Sequence, residues 1–219
     1  MMIKSFDEKL KELNEYLTEM GSLVNDAINL TNEALVTQNM ELASDAIQRD
    51  AEIDQMEREI EKMCISLMLL HNPVARDLRV VSAALKMITD LERIGDQCRD
   101  ISEIVIIMAD VIYAKKIEHI PAMADEVGKM VTNSITAYVN KDLELARRTR
   151  QDDDKVDSLF LTVKRELTDV ARKNPDDIGQ AIDLLMVAKY FERIGDHAEN
   201  IAEWVEYMIT GQHVKLELS

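Results

Sequence analysis

The pentapeptide Glu-Arg-Ile-Gly-Asp occurs twice, at Glu92–Asp96 and at Glu192–Asp196. The flanks repeat with it. Glu103 and Glu203 also stand 100 residues apart, Asp54 and Asp157 stand 103 apart, and Asn72 and Asn174 stand 102 apart. Five identical residues in register with an Asn-Pro turn and further acidic positions make this chain two copies of one unit. Whatever fold it adopts must therefore be built twice. Residues 1–114 are the expected first unit and residues 115–219 the second.

Each unit reads as three long helices. Phe6, Leu10, Leu13, Leu17, Met20, Val24, Ala27, Ile28 and Leu35 recur at spacings of three and four, which predicts a helix from about Ser5 to Thr37. After a polar break at Gln38–Glu41, a second helix carries Leu42, Ala46, Ile53, Met56, Ile60, Met63, Leu67 and Leu70. Asn72-Pro73 ends it, because a residue before proline disfavours the α region. The third carries Val80, Ala84, Met87, Leu91, Ile94, Cys98, Ile101, Val105 and Met108. The plan restarts after an inter-unit turn at Lys115–Pro121. A fourth helix carries Met123, Val127, Met130, Ile135 and Tyr138. A fifth carries Val156, Leu159, Val163, Leu167 and Val170. A sixth carries Ile182, Leu185, Phe191, Ile194, Ala198, Ile201, Val205 and Met208, closed at Gly211. Only 6 Gly and 3 Pro interrupt these patterns. Long helices joined by short turns lie antiparallel. The expected fold is all-α, two tandem three-helix bundles.

Charge narrows the functions open to such a chain. The formal net charge is −16. It repels a phosphate backbone, so nucleic-acid binding is not expected. Adsorption to an anionic membrane is disfavoured for the same reason. No run reaches ~18 uncharged apolar residues, so no membrane insertion is expected. The start, Met1-Met2-Ile3-Lys4-Ser5-Phe6-Asp7-Glu8, lacks the apolar stretch of a secretory signal. Cys64 and Cys98 fall inside helical patterns and read as small buried hydrophobes. A disulfide or metal pair between them is the less favoured alternative.

The repeated acidic residues are the candidate chemistry. Residues four apart share a helix face. Glu92 and Asp96 form such a pair, extended by Asp100, and Glu192 and Asp196 form the second, extended by Glu199 and Asn200. The preceding helix of each unit adds another pair, Asp50 with Asp54 and Asp153 with Asp157. Each row lies about 100° from an apolar neighbour, so it flanks the core stripe. If the two helices of a unit are antiparallel neighbours, four carboxylates converge near the bundle edge. Such a cluster repels itself unless Arg93 and Arg193, or an oxygen-bound metal ion, neutralise it. The plain alternative is a solvated acidic face. Gly95 and Gly195 imply close approach of a neighbour, with close helix packing favoured over a bound partner, because a mid-helix glycine costs ~1 kcal/mol. No Glu-x-x-His stands in the chain, which disfavours a buried di-iron site. His197 is expected on the surface. There is no phosphate-binding glycine loop and no nucleophile elbow, so nothing positive points to an enzyme.

The segments Leu91-Glu92-Arg93-Ile94-Gly95-Asp96-Gln97-Cys98-Arg99-Asp100 and Phe191-Glu192-Arg193-Ile194-Gly195-Asp196-His197-Ala198-Glu199-Asn200 resemble the PhoU family of phosphate-uptake regulators. The resemblance spans nearly the whole chain and includes Asp50–Asp54 and Asp153–Asp157. It implies a cytoplasmic, dimeric regulator that restrains phosphate uptake and the phosphate-starvation response. Its implied partners are the ATPase of a phosphate ABC transporter and a phosphate-sensing histidine kinase. It also implies divalent or iron/zinc ions, single or multinuclear. The matching ligands are Asp50, Asp54, Glu92, Asp96 and Asp100 in the first unit, and Asp153, Asp157, Glu192, Asp196 and Glu199 in the second. Asn200 replaces the Asp100 equivalent, so the two sites are expected to differ. Two other readings stay open at this point: a metal-dependent phosphoester hydrolase, and a purely structural helical adaptor.

Overall fold

Among the described residues the protein has six long helices and one short 3-10 turn. A computed structural model describes residues 5–71, 73–109, 113 and 118–212. The helices are α1 (Phe6–Thr37), α2 (Met40–His71), α3 (Ala75–Ile107), α4 (His119–Asn140), α5 (Leu143–Lys173) and α6 (Ile178–Thr210). The longest have 33 residues, or about 50 Å at 1.5 Å per residue. Asn72 of the first Asn-Pro turn and Lys115–Ile117 of the expected inter-unit turn lie outside the described residues.

Local chemistry sets the ends. Ser5 and Glu8 form a reciprocal capping box at the start of α1. Asn39 Oδ1 accepts from the backbone N–H groups of Glu41 and Leu42, so α2 begins at Met40, inside the expected break. Asp142 caps α5 in the same way through Leu145 N, at 2.9 Å. Gln38 (φ 52°) and Lys141 (φ 55°) end α1 and α4 in the left-handed conformation. The duplication thus extends to the corners, because these paired residues stand 103 apart like Asp54 and Asp157. Pro121 does not belong to a turn. It sits in the first turn of α4, where a missing N–H costs no hydrogen bond.

Within each unit the three helices pack on one another, as the periodicity predicts. The internal hydrogen bonds repeat too. Thr31 Oγ1 of α1 donates to Cys98 O at 3.4 Å, and Ser134 Oγ of α4 donates to Ala198 O at 3.1 Å. The two units join through α1 against α4 and α3 against α6. Both pairs are antiparallel. Asn25 reaches Thr132 while Gly21 lies against Ile135, and Asp90 bonds His197 while Lys86 lies over Trp204. α2 and α5 take no part in this seam and flank it on either side. The core is continuous through α1, α3, α4 and α6, with Leu17, Met87, Phe191 and Ile194 fully buried.

Two residues assigned to apolar stripes lie outside the core. Leu70 is 71% exposed near the end of α2, and Ile182 is 56% exposed near the start of α6. The contact stripe of α6 there runs instead through Ala181, Leu184 and Val187. Cys64 and Cys98 are buried and unbonded to each other, and burial pushes both thiols up to about 12. Neither forms a reactive thiolate at neutral pH.

Candidate metal centres

The acidic rows meet where α2 packs on α3 and where α5 packs on α6. The glycine of each motif makes that approach close. A Cβ on Gly95 would stand 3.0 Å from Asp50 Oδ1 and 3.2 Å from Ile53 Cδ1. One on Gly195 would stand 2.7 Å from Asp153 Oδ1 and 3.3 Å from Val156 Cγ1. Close helix packing is therefore the role of both glycines. Each leaves space for the carboxylate of the neighbouring helix, and that carboxylate is drawn inward as a result.

In the first unit the inward carboxylate is Asp50, only 7% exposed. Arg99 Nη1 donates to Asp50 Oδ2 at 2.7 Å, and Arg99 Nη2 pairs with Asp96 Oδ1 at 2.9 Å. Asp100 stands 3.6 Å from the same guanidinium. Arg93 takes the other oxygen of Asp96 at 3.0 Å and reaches Glu92 at 3.5 Å. Arg58 stands 3.7 Å from Asp54. Even so, burial raises the Asp50 carboxyl above its usual range against the pull of Arg99. Burial alone would lower Arg99, but Asp50, Asp96 and Asp100 together raise it. Arg99 thus offsets only part of the desolvation of Asp50. Burial also raises Glu92, with Asp96 adding to it, and Glu57, with Glu61 adding to it.

The second unit brings the same carboxylates together without the central cation. Asp153 is half-buried on α5, and its Oδ1 is enclosed with no hydrogen-bond partner. Burial, then Glu199, Asp196, Asp157 and Glu192, push its carboxyl up to about 7. Burial and Glu192 also raise Asp157 and Asp196. Among the described residues, Asp153, Asp157 and Asp196 make no ion pair. The cations sit at the ends of the row. Lys189 pairs with Glu192, and Arg150 pairs with Glu199 at 3.5 Å and with the buried Glu206 at 3.3 Å. Arg147 holds the other oxygen of Glu206 at 2.9 Å.

The structure thus brings the expected residues of each unit to one seam. It does not converge them on a point: among the described residues no three acidic, His or Cys groups are placed to share one ion. A shared ion would require side-chain rotation across the seam. The donor set is all carboxylate oxygen, which suits hard divalent cations. Arg93 pairs with Glu92 and Asp96 as expected, whereas among the described residues Arg193 makes no such pair. Arg99, Lys189 and Arg150 were missed from the sequence, although Arg99 and Lys189 lie three residues from Asp96 and Glu192 and so share their faces. His197 is half-buried between the units rather than on the surface, with Nδ1 at 2.9 Å from Asp90 Oδ1.

The fold and these seams define a duplicated three-helix-bundle protein with one carboxylate cluster per unit. A family model described as the PhoU domain matches residues 17–105 and again 120–205. A phosphate-specific transport system accessory protein PhoU homolog from Deinococcus radiodurans is 37% identical over 148 residues, covering 68% of this chain and 70% of that protein. Another from Aquifex aeolicus is 39% identical over 154 residues, covering 70% of each. The crystal structure of PhoU from Pseudomonas aeruginosa superposes with a TM-score of 0.91 at 32% identity, over 95% of this chain and 100% of that one. The chain belongs to the PhoU family.

Proposed function

We propose that this chain is a cytoplasmic regulator of phosphate homeostasis that restrains phosphate uptake and the phosphate-starvation response. The observation that carries the reading is the match of the PhoU-domain model to each unit in turn, together with the likeness of the whole fold to PhoU from Pseudomonas aeruginosa. Relatives described as accessory proteins of the phosphate-specific transport system support a regulatory role rather than an enzymatic one. The partners in this reading are the ATPase of a phosphate ABC transporter and a phosphate-sensing histidine kinase, and the working form is a homodimer. No helix among the described residues is long and apolar enough to cross a membrane. Contact with membrane-bound partners would then run through protein surfaces. The carboxylate seams are the sites for divalent or iron/zinc ions in this reading. The enclosed, partnerless Asp153 Oδ1 supports that assignment, because a buried charged oxygen is costly without a cation.

Deletion of the gene is expected to switch on phosphate-starvation genes in phosphate-rich medium. Transcript measurement checks it. Unchanged transcripts in high phosphate, with an intact transporter and kinase, would overturn the regulatory reading.

A further inference from the structure

The two units differ at one position inside otherwise matching motifs. Position 99 is arginine, and the equivalent position 199 is glutamate. We propose that the Arg99 guanidinium is a resident counter-ion that takes the place of metal in the first unit, so that this chain binds a hard divalent cation only between α5 and α6. The proposal rests on the metal reading given above and sharpens it from two sites to one.

Three observations carry it. The first is where Arg99 sits. It bridges Asp50 of α2 and Asp96 of α3, at 2.7 and 2.9 Å, and so occupies the middle of the seam. With Arg93 on the other oxygen of Asp96, both oxygens of that carboxylate are engaged by guanidinium. A metal entering here must displace a charge-assisted bond network, with the loss of its short, directional contacts. The second is the placement of cations in the second unit. Lys189 and Arg150 hold Glu192 and Glu199 at the two ends of the row, and among the described residues Asp153, Asp157 and Asp196 between them make no ion pair. Arg150 is anchored on the buried Glu206 at 3.3 Å. The third is the enclosed Asp153 Oδ1. The matching Asp50 Oδ1 is also enclosed, but Asp50 already has a cation on its other oxygen. Asp153 has none. Geometry and charge therefore fill one seam with a resident cation and leave the enclosed Asp153 of the other without one.

Access agrees with this division. Asp157 and Asp196 are exposed, whereas Asp54 and Asp96 are half-buried. Ligands that must rotate toward an ion are less restrained in the second unit. The donors there are all carboxylate, so Mn²⁺ is the probe of choice.

The test is Mn²⁺ uptake by the full chain, followed by loss of the free-ion paramagnetic resonance signal. The wild-type protein should bind Mn²⁺ through one unit. Asp153→Asn with Asp196→Asn should weaken binding by at least about tenfold, while Asp50→Asn with Asp96→Asn should leave it unchanged. Arg99→Glu should add a second Mn²⁺ site that Arg99→Lys does not. Circular dichroism confirms that each variant folds, and the Asp-to-Asn pairs test the proposal even if Arg99→Glu does not. Uptake in the wild type shared equally by both units, each lost with its own pair of aspartates, would overturn the one-site inference and leave the metal reading intact. No uptake by the wild type or by Arg99→Glu would overturn the metal reading itself.

Discussion

Arg99→Ala should lower the stability of the protein by about 2 kcal/mol. Removing one partner of a buried ion pair costs about 3–5 kcal/mol, because the other charge is left without compensation. Asp50 is that other charge, and its side chain is 10% exposed against 35% for Arg99. The partly solvated guanidinium reduces the effect below the range for a fully buried pair. A further consequence separates this mechanism from simple loss of packing. Asp50→Asn in the Arg99→Ala background should recover much of the loss, because it removes the orphaned charge. Urea unfolding of the single and double variants measures both effects. If the double variant is less stable than Arg99→Ala alone, the ion-pair account fails.

The second large effect is expected from pH. Asp153 has a folded value of about 7 against an ordinary value of 3.8. Between these values the folded chain holds a proton that the unfolded chain does not. Stability contributed by this group is therefore present at low pH and is lost as pH rises through 7. Taken at face value the shift amounts to about 4 kcal/mol. Solvent reaches half-buried Asp153, so about 2 kcal/mol is the better expectation. Metal-free protein in chelator should thus become more stable as pH falls from about 8.5 to about 5.5. Asp153→Asn should raise stability at pH 8.5 by a similar amount and flatten the profile. Burial and Glu192 push Asp157 and Asp196 in the same direction. Glu126 acts oppositely. Burial would raise it, but Lys155 and Lys129 hold it down, and its contribution is lost only below its lowered value. Denaturant unfolding at three pH values decides the matter. A profile that climbs steadily from pH 5.5 to 8.5 would rule out a strained Asp153.

The helix plan was legible because a period of 3.6 residues is a direct consequence of burying one face, and Leu13, Leu17, Val24 and Ile28 show it plainly. The duplication was legible because the Glu-Arg-Ile-Gly-Asp motif is identical in both halves. The candidate carboxylates also follow from spacing along a helix. Which of them lie inside, and which have partners, does not. Asp50 is buried because Gly95 lets α2 approach α3, and that is a tertiary fact. The role of Arg99 depends on reaching across that contact. Its replacement by Glu199 was in plain view but has no meaning until both seams are seen. His197 reads as a surface residue for a similar reason, since its partner Asp90 lies 107 residues away on another unit.

That distance has a kinetic meaning. Contacts within α1–α2, α2–α3, α4–α5 and α5–α6 join segments that follow one another, so little loop entropy opposes them. The α3–α6 seam joins residues as far apart as Asp90 and His197, and it gains nothing until both partners exist as helices. Each half can therefore gather itself from near neighbours before the seam closes. Asp90→Ala should then speed unfolding and leave the refolding rate almost unchanged, as stopped-flow measurements can show. A slowed refolding rate would place the seam in the nucleus. The seam that makes two units one protein should be the last part to assemble and the first to part.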